Sequence, residues 1–339
     1  MTTPLRFPNG PFLLAALACC LGGEVSLANN PNLVVPRVRK SYVTLTAAEI
    51  TDFQDACIAL KAVDPGGVDS TLLGWDDFVK EHAAFMMNAH GGPAFLAWHR
   101  EFLLRFEDAL RAVNSGQFAN VTIPYWDWAV DGFPISVVGG DGAAVTDIVT
   151  TGPFAYSTTN WNVVINPIAG PELKRNFSPP LPNKIFTPAQ INALMALPIF
   201  DLAPWSSASA NTSFRNVLEG FKGPGFHNAV HGAIGGNMGF VNSSVNDPVF
   251  WMHHANVDRL WCQWQDIYPT YLHHIPTSGA PMGQNTLDSM PPFGVTPCDA
   301  TNMVAMNYEY DDCVGPCTYD PGHAYAGQTY SQVLMKAMI

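Results

Sequence analysis

The sequence predicts a mainly α-helical protein with long loops, and three observations carry that prediction. Apolar residues recur at helical spacing: Trp75, Phe78, Val79, His82, Phe85 and Met86 form one stripe, and Phe95, His99, Phe102, Leu103, Phe106 and Leu110 form another. Helix ends are also written in the residues. Thr46-Ala-Ala-Glu49 is a capping box, and Thr187-Pro-Ala-Gln190 opens a shorter helix that must stop by Pro198. Finally, His227 and His231 lie one helical turn apart, in a segment that Gly235-Gly236 ends.

Taken in order, a Pro/Asn-rich lead-in precedes a helix from Thr46 to about Ala62, which Pro65-Gly66-Gly67 breaks. The helix with His82 on its apolar stripe comes next. The loop Asn88-Ala-His90-Gly-Gly-Pro93 then leads to a helix over about Ala94 to Val113, with His99 on its buried stripe. Arg100, Glu101, Arg105, Glu107, Asp108 and Arg111 occupy the other faces of that helix. Ile123-Pro-Tyr-Trp-Asp-Trp128 follows, and its aromatics wall the bundle. From Asp131 to Pro182 the chain is rich in Gly, Pro, Asn and Thr and has no strong period, so it reads as loops with room for a few short strands. Phe200–Ser209 and Phe214–Gly220 approach the run Gly225-Phe-His-Asn-Ala-Val-His-Gly232. The last long helix has Asp247 to cap it, Pro248 in its first turn and Pro269 beyond its end, and it carries His253 and His254. Further on the chain is again loop-like, and the core closes near Tyr308-Glu-Tyr310.

Composition bounds the rest. Of 339 residues, 47% are hydrophobic, 12% aromatic and 13% charged, a charged share well under the usual ~25%, so the chain must bury a large core. The length allows one large domain or two ordinary ones, and no internal repeat is visible. A net charge of −12 with no basic cluster argues against a nucleic-acid partner. Residues 1–28 read as a secretory leader: Arg6, the apolar run Pro11–Leu21 (too short to span a bilayer) and small residues at Ser26-Leu27-Ala28. No other segment could cross a membrane. Sequons at Asn120, Asn176, Asn211 and Asn242 agree with a secreted, extracellular chain. Once Cys19 and Cys20 leave with the leader, Cys57, Cys262, Cys298, Cys313 and Cys317 remain. That odd number requires a free thiol or an intermolecular bond, and the three late cysteines suggest a stapled tail over 311–339.

The histidines carry the chemistry. One histidine on an apolar stripe is ordinarily structural. His82 and His99 on neighbouring helices, with His90 between them, are harder to explain that way, because every buried imidazole needs partners for both ring nitrogens. A metal supplies one partner and a neighbouring acceptor the other. His227, His231 and one of the pair His253 and His254 make a second three-nitrogen set, and helix geometry leaves that choice open. Imidazole suits copper, zinc, iron or nickel, so the spacing does not name the metal.

The run from Gly225 to Gly232, with Asn246-Asp-Pro-Val-Phe-Trp-Met-His-His-Ala-Asn-Val-Asp-Arg-Leu-Trp261, resembles the second copper-binding half of the tyrosinase family. His82, His90 and Phe95-Leu-Ala-Trp-His99-Arg resemble the first half, and Pro124-Tyr-Trp-Asp-Trp128 and Tyr308-Glu-Tyr310 resemble further family segments. The likeness spans Lys40 to Tyr310. It implies one catalytic domain within 29–310, a four-helix bundle around a dinuclear copper site. By that resemblance His82, His90 and His99 hold one copper, and His227, His231 and His254 the other. The implied reaction oxidises small phenolic or catecholic substrates to o-quinones with dioxygen. Glu219 and Asn228 match residues proposed in the family to hold a proton-accepting water, and Trp98, Phe250 and the Gly235-Gly236 turn are candidates to shape the pocket. The sequence departs from some relatives: no cysteine neighbours His90, the loop Gly235-Gly-Asn-Met238 lacks a bulky phenylalanine, and Gly232 offers no steering group. The short tail also predicts an enzyme without a latency domain. The alternatives are a catechol oxidase acting on o-diphenols only, a haemocyanin-like oxygen carrier, and a dinuclear zinc hydrolase. The carrier fits poorly with the Gly-rich rim, and the hydrolase with the lack of carboxylates among the ligands. Nothing in the sequence indicates an oligomeric state.

Overall fold

Each helix that carries a histidine begins and ends where its residues dictate. The computed structural model describes residues 36–63, 72–269, 275–301, 303 and 305–313. The predicted leader, the Pro65-Gly66-Gly67 break and the tail beyond Cys313 lie outside these residues. Strand β1 (Arg37–Arg39) comes first, then α1 (Ala47–Lys61), α2 (Trp75–Ala89) and α3 (Phe95–Ala112). The short helices α4 (Ile135–Val138), α5 (Tyr156–Thr159), α6 (Pro188–Met195) and α7 (Phe214–Glu219) lead to α8 (Phe226–Ile234) and α9 (Val249–Ile267). Strand β2 (Tyr308–Tyr310) closes the core. Among the described residues no helix is long and apolar enough to cross a membrane.

The expected caps form. Thr46 and Glu49 exchange both capping-box bonds at the start of α1, as Thr187 and Gln190 do for α6. Asp247 acts one position earlier than expected: Pro248 is the cap residue of α9, and the Asp247 carboxylate accepts from the Val249 N–H at 3.0 Å. The region 131–182 is mostly loop, holding α4 and α5 and isolated bridges such as Ile148 with Lys174. The apolar stripe of α2 is buried through His82, but Met86 faces solvent. The cause is local. Phe85 leaves the helical region (φ −108°, ψ 16°), which shifts the phase of the last turn and rolls Met86 outward.

Helices α2, α3, α8 and α9 form the bundle around the histidines, with α1 packed on α2 and α3. Its centre is aromatic. The Trp251 ring of α9 stacks on Phe106 of α3 at 3.5 Å and 5°, and it also meets Phe102 at 5.0 Å. Such pairs add about 0.5–1.5 kcal/mol each beyond the area they bury.

Charge is buried here as well, which the amphipathic reading of α3 did not foresee. Arg100 and Glu107 lie on the charged side of α3, yet both are fully buried. Arg100 Nε donates to Asp258 Oδ1 of α9 at 2.6 Å, and its guanidinium lies 3.8 Å above the Trp261 ring. Strand β1 pairs in parallel with β2, with Arg39 opposite Tyr310. This brings Arg39 to Glu107 at 3.0 Å and Asp258 at 3.3 Å, while the Tyr308 and Tyr310 hydroxyls each donate to Asp258 Oδ2 at 2.7 Å. A disulfide from Cys262 of α9 to Cys313 pins the chain just after β2. Cys298 is disulfide-bonded too, and Cys57 is the free, buried thiol among the described cysteines.

Removing one partner of a buried, paired charge strands the others. Asp258→Ala is therefore expected to cost about 3–5 kcal/mol of unfolding free energy. Denaturant titration of the two proteins checks this, and a loss under about 1 kcal/mol, the worth of an exposed pair, would mean that the cluster is not a structural tie.

Candidate metal centre

The first histidine group is assembled by α2, the turn after it and α3. His82 projects from the buried face of α2, His99 from that of α3, and His90 is the C-terminal cap of α2 in extended conformation. Backbone carbonyls aim two of these rings. The Met86 carbonyl accepts from His90 Nδ1 at 2.9 Å, and the Phe95 carbonyl from His99 Nδ1 at 2.8 Å. With the proton on Nδ1, each ring turns its Nε2 lone pair inward. One ligand atom from each of His82, His90 and His99 lies within 4.8 Å of the other two.

Helices α8 and α9 build the second group in the same manner. His227 Nδ1 lies 3.2 Å from the Glu219 carbonyl and 2.9 Å from Asn228 Oδ1, and His231 Nδ1 donates to the Met238 carbonyl at 2.8 Å. The inward nitrogens converge: His227 Nε2 is 3.1 Å from His231 Nε2 and 3.2 Å from His254 Nε2. Glycine makes this possible at two places. Gly220 (φ +105°) lets α7 turn onto α8, where a Cβ would lie 2.8 Å from that of Asn228. Gly236 (φ +52°) passes so close to the Lys174 carbonyl that any side chain would collide. The Gly235-Gly236 turn thus serves backbone packing, which is a sufficient reason for its residues.

The two groups face one another across a small gap. His99 and His254 stack at 4.3 Å and 12°, and the Phe95 ring lies 4.8 Å from His99 and 5.0 Å from His227. Phe250 packs at 4.2 Å from His254 and 5.2 Å from His82, so it touches both groups, whereas Trp98 is wholly buried beside His82 and His99. Burial in this aromatic cage keeps the imidazoles neutral. His90 and His231 are pulled down to about 4, and His82, His99, His227, His253 and His254 lie well below the usual histidine range. Desolvation is the main cause; at most of these rings their mutual repulsion adds to it.

Neutral rings with inward lone pairs are what a cation requires, and the polar atoms left over say the same. His99 Nε2 and His82 Nε2 are buried without a protein partner. The Nε2 atoms of His227 and His231 cannot bond each other while each Nδ1 keeps the proton. Their 3.1 Å approach suits two imidazoles sharing one metal at about 2 Å. All-nitrogen donor sets suit copper, and among the described residues no carboxylate joins either group.

Comparison with known proteins decides the family. The model of the common central domain of tyrosinase matches residues 73–267. The tyrosinase of Streptomyces glaucescens is 36% identical over 289 residues, covering 81% of this chain and 98% of that protein. The chain belongs to the tyrosinase family. Among solved structures, a polyphenol oxidase variant from Thermothelomyces thermophila aligns with a TM-score of 0.53 at 26% identity, over 68% of this chain and 72% of that one. A functional unit of octopus hemocyanin aligns with a TM-score of 0.54 at 21% identity, over 89% and 72%, and shares the fold. The tyrosinase family uses a dinuclear copper site, and this mainly helical fold has two histidine groups that could hold metal ions.

The remaining expected residues of this tyrosinase-family centre lie around His227. Asn228 is exposed at its edge. Glu219 is fully buried: Oε1 accepts from the Gly91 N–H at 2.5 Å, and Oε2 pairs with Arg215 at 2.6 Å. Burial raises its pKa, against the opposing pull of Arg215 and the Gly91 N–H. Glu219 therefore links the groups physically, since Gly91 follows His90 and the Glu219 carbonyl holds His227. Sequence reasoning placed Trp128 only in the wall of the bundle and missed that its indole Nε1 donates to His253 Nδ1 at 3.1 Å.

Proposed function

We propose that the protein is a secreted, copper-dependent phenol oxidase that converts monophenols and o-diphenols to o-quinones with dioxygen. The observation that carries this reading is the facing pair of histidine groups, His82, His90 and His99 opposite His227, His231, His253 and His254, with buried ring nitrogens that have no protein partner. His82, His90 and His99 would hold one copper, and His227, His231 and His254 the other. The metals, when bound, supply dioxygen binding and electron transfer. The chain itself fixes the rings, excludes water with Phe95, Phe250 and Trp98, and manages protons. Its similarity to a bacterial tyrosinase over almost the whole of that relative supports the same reading.

Monophenol hydroxylation turns on a proton. A phenol has a pKa of about 10, so roughly one molecule in a thousand is ionised at pH 7. A base at the entrance must take that proton. Asn228, exposed beside His227, and Glu219 behind it are proposed to hold a water for this purpose. A carboxylate offers about four acceptor sites, so Glu219 can accept from a water in addition to Gly91 and Arg215. A second reading, a catechol oxidase restricted to o-diphenols, is favoured by that same engagement, because a carboxylate tied to Arg215 and Gly91 serves well as a brace alone.

Three outcomes test the proposal. The protein should hold two coppers per chain, with His99→Ala and His254→Ala each losing one and abolishing quinone formation. Both coppers surviving in either variant, by metal analysis, would sink the ligand assignment. Asn228→Ala should lower the monophenol rate at least about tenfold more than the catechol rate, a differential of ~1.4 kcal/mol. Equal losses, or a parent inactive on monophenols, would leave the catechol oxidase. Secreted material should start near Asn29 and carry glycan at one or more sequons, of which Asn120 and Asn176 are exposed. Secreted protein beginning at Met1 with no mass excess would refute export through a glycosylating pathway.

A further inference from the structure

Among the described residues the centre contains seven histidines, and the copper reading uses six. His253 is the remainder, although it lies as near the other three histidines of its group as they lie to one another. It is fully buried, stacks on His227 at 5.1 Å and 17°, and meets His231 edge-on at 4.9 Å. It belongs to the group whose ligand atoms all lie within 4.8 Å of one another, and its Nε2 has no protein partner. By distance alone it could serve as a fourth nitrogen donor.

What sets it apart is the location of one proton. The indole N–H of Trp128 can only donate, so His253 Nδ1, 3.1 Å away, must be the acceptor. A neutral imidazole carries one ring proton, which is then confined to Nε2 and removes the lone pair there. His90, His99, His227 and His231 show the opposite arrangement: each places Nδ1 against a backbone carbonyl and frees Nε2. The indole is itself held in place. The Trp128 carbonyl accepts from the Ile185 and Phe186 N–H groups at 2.9 and 3.1 Å, and the Phe186 ring abuts the indole at 5.9 Å.

We infer that Trp128 is a positioning residue that keeps His253 out of the second metal site by fixing its ring proton on Nε2, leaving His227, His231 and His254 as the ligands. The inference rests on the copper reading above and adds a reason for the choice within the tandem pair. It also has a chemical purpose. Four protein donors close a metal site, whereas three leave a position for dioxygen or substrate. A single indole thus separates an open centre from a closed one built of the same residues.

The test has two arms. Nitrogen NMR of histidine-labelled protein loaded with copper(I), which is diamagnetic, reports which ring nitrogen bears the proton. The expected result is protonated Nε2 and bare Nδ1 on His253, with protonated Nδ1 on His90, His99, His227 and His231. A protonated Nδ1 on His253 would overturn the inference. The second arm is a rescue, read by copper content after dialysis with circular dichroism to check the fold. His254→Ala should retain one copper. Adding Trp128→Phe should restore the second, because His253 can then shift its proton to Nδ1 and offer Nε2. A folded double variant that still holds one copper would overturn the inference. Two coppers in His254→Ala alone would instead bring down the ligand assignment beneath it. If the double variant does not fold, the NMR arm decides by itself.

Discussion

The ion pair between Arg100 and Asp258 is the constraint on which the rest of the molecule depends. Arg100 is the residue after His99, and Asp258 lies one helical turn beyond His254. Their 2.6 Å bond therefore sets the register of α3 against α9 immediately below the two stacked imidazoles. A pair buried this completely is costly unless every remaining donor and acceptor is met. The neighbours meet most of them: Gln265 and the Ala300 and Thr301 carbonyls accept from Arg100 Nη1, and Arg39 and two tyrosine hydroxyls surround Asp258, while Arg100 Nη2 has no hydrogen-bond partner among the described residues and the guanidinium lies against the Trp261 ring. The short parallel pairing of β1 with β2 is best understood as the means of delivering those partners. Two strands of three residues add little of their own, but they bring Arg39, Tyr308 and Tyr310 to one carboxylate.

The centre follows from a second constraint, the direction of each imidazole. Rings on helices point wherever their rotamers allow, and a metal tolerates little error. Here the backbone supplies the aim, through carbonyls of Met86, Phe95, Glu219 and Met238 that each hold an Nδ1–H. These carbonyls come from the last turn of α2, the first residue of α3, the last residue of α7 and a glycine-flanked turn. Four unrelated pieces of local structure thus produce the same tautomer. The aromatic cage completes the arrangement by excluding water, which keeps the rings neutral and their lone pairs available. Glu219 joins the halves, holding Gly91 with its carboxylate and His227 with its carbonyl, so neither group can shift without disturbing the other.

Much of this was legible in the residues. Capping boxes, glycine stops and prolines fall at the observed helix ends, because these depend on bonds spanning three or four residues. The histidines stood out for a similar reason: a periodic apolar stripe can be recognised locally, and a polar ring in its middle demands a partner. The Met86 side chain was misplaced because a backbone departure at Phe85 is not encoded in periodicity.

The sequence by itself determined the helices, the residue types available to bind metal and the family to which the chain belongs, since each follows from short-range spacing. Only the tertiary structure decided which charged residues are buried, since Arg100 and Glu107 lie on the charged faces of α3 until α9 and residues 300–301 enclose the first and β1 engages the second. It alone decided that Glu219 bridges the two histidine groups, a contact spanning 128 residues. And it separated His253 from His254, adjacent residues of the same type on one helix. Their difference lies in the indole N–H of Trp128, which is 125 positions away in the chain and confines the proton of just one of them.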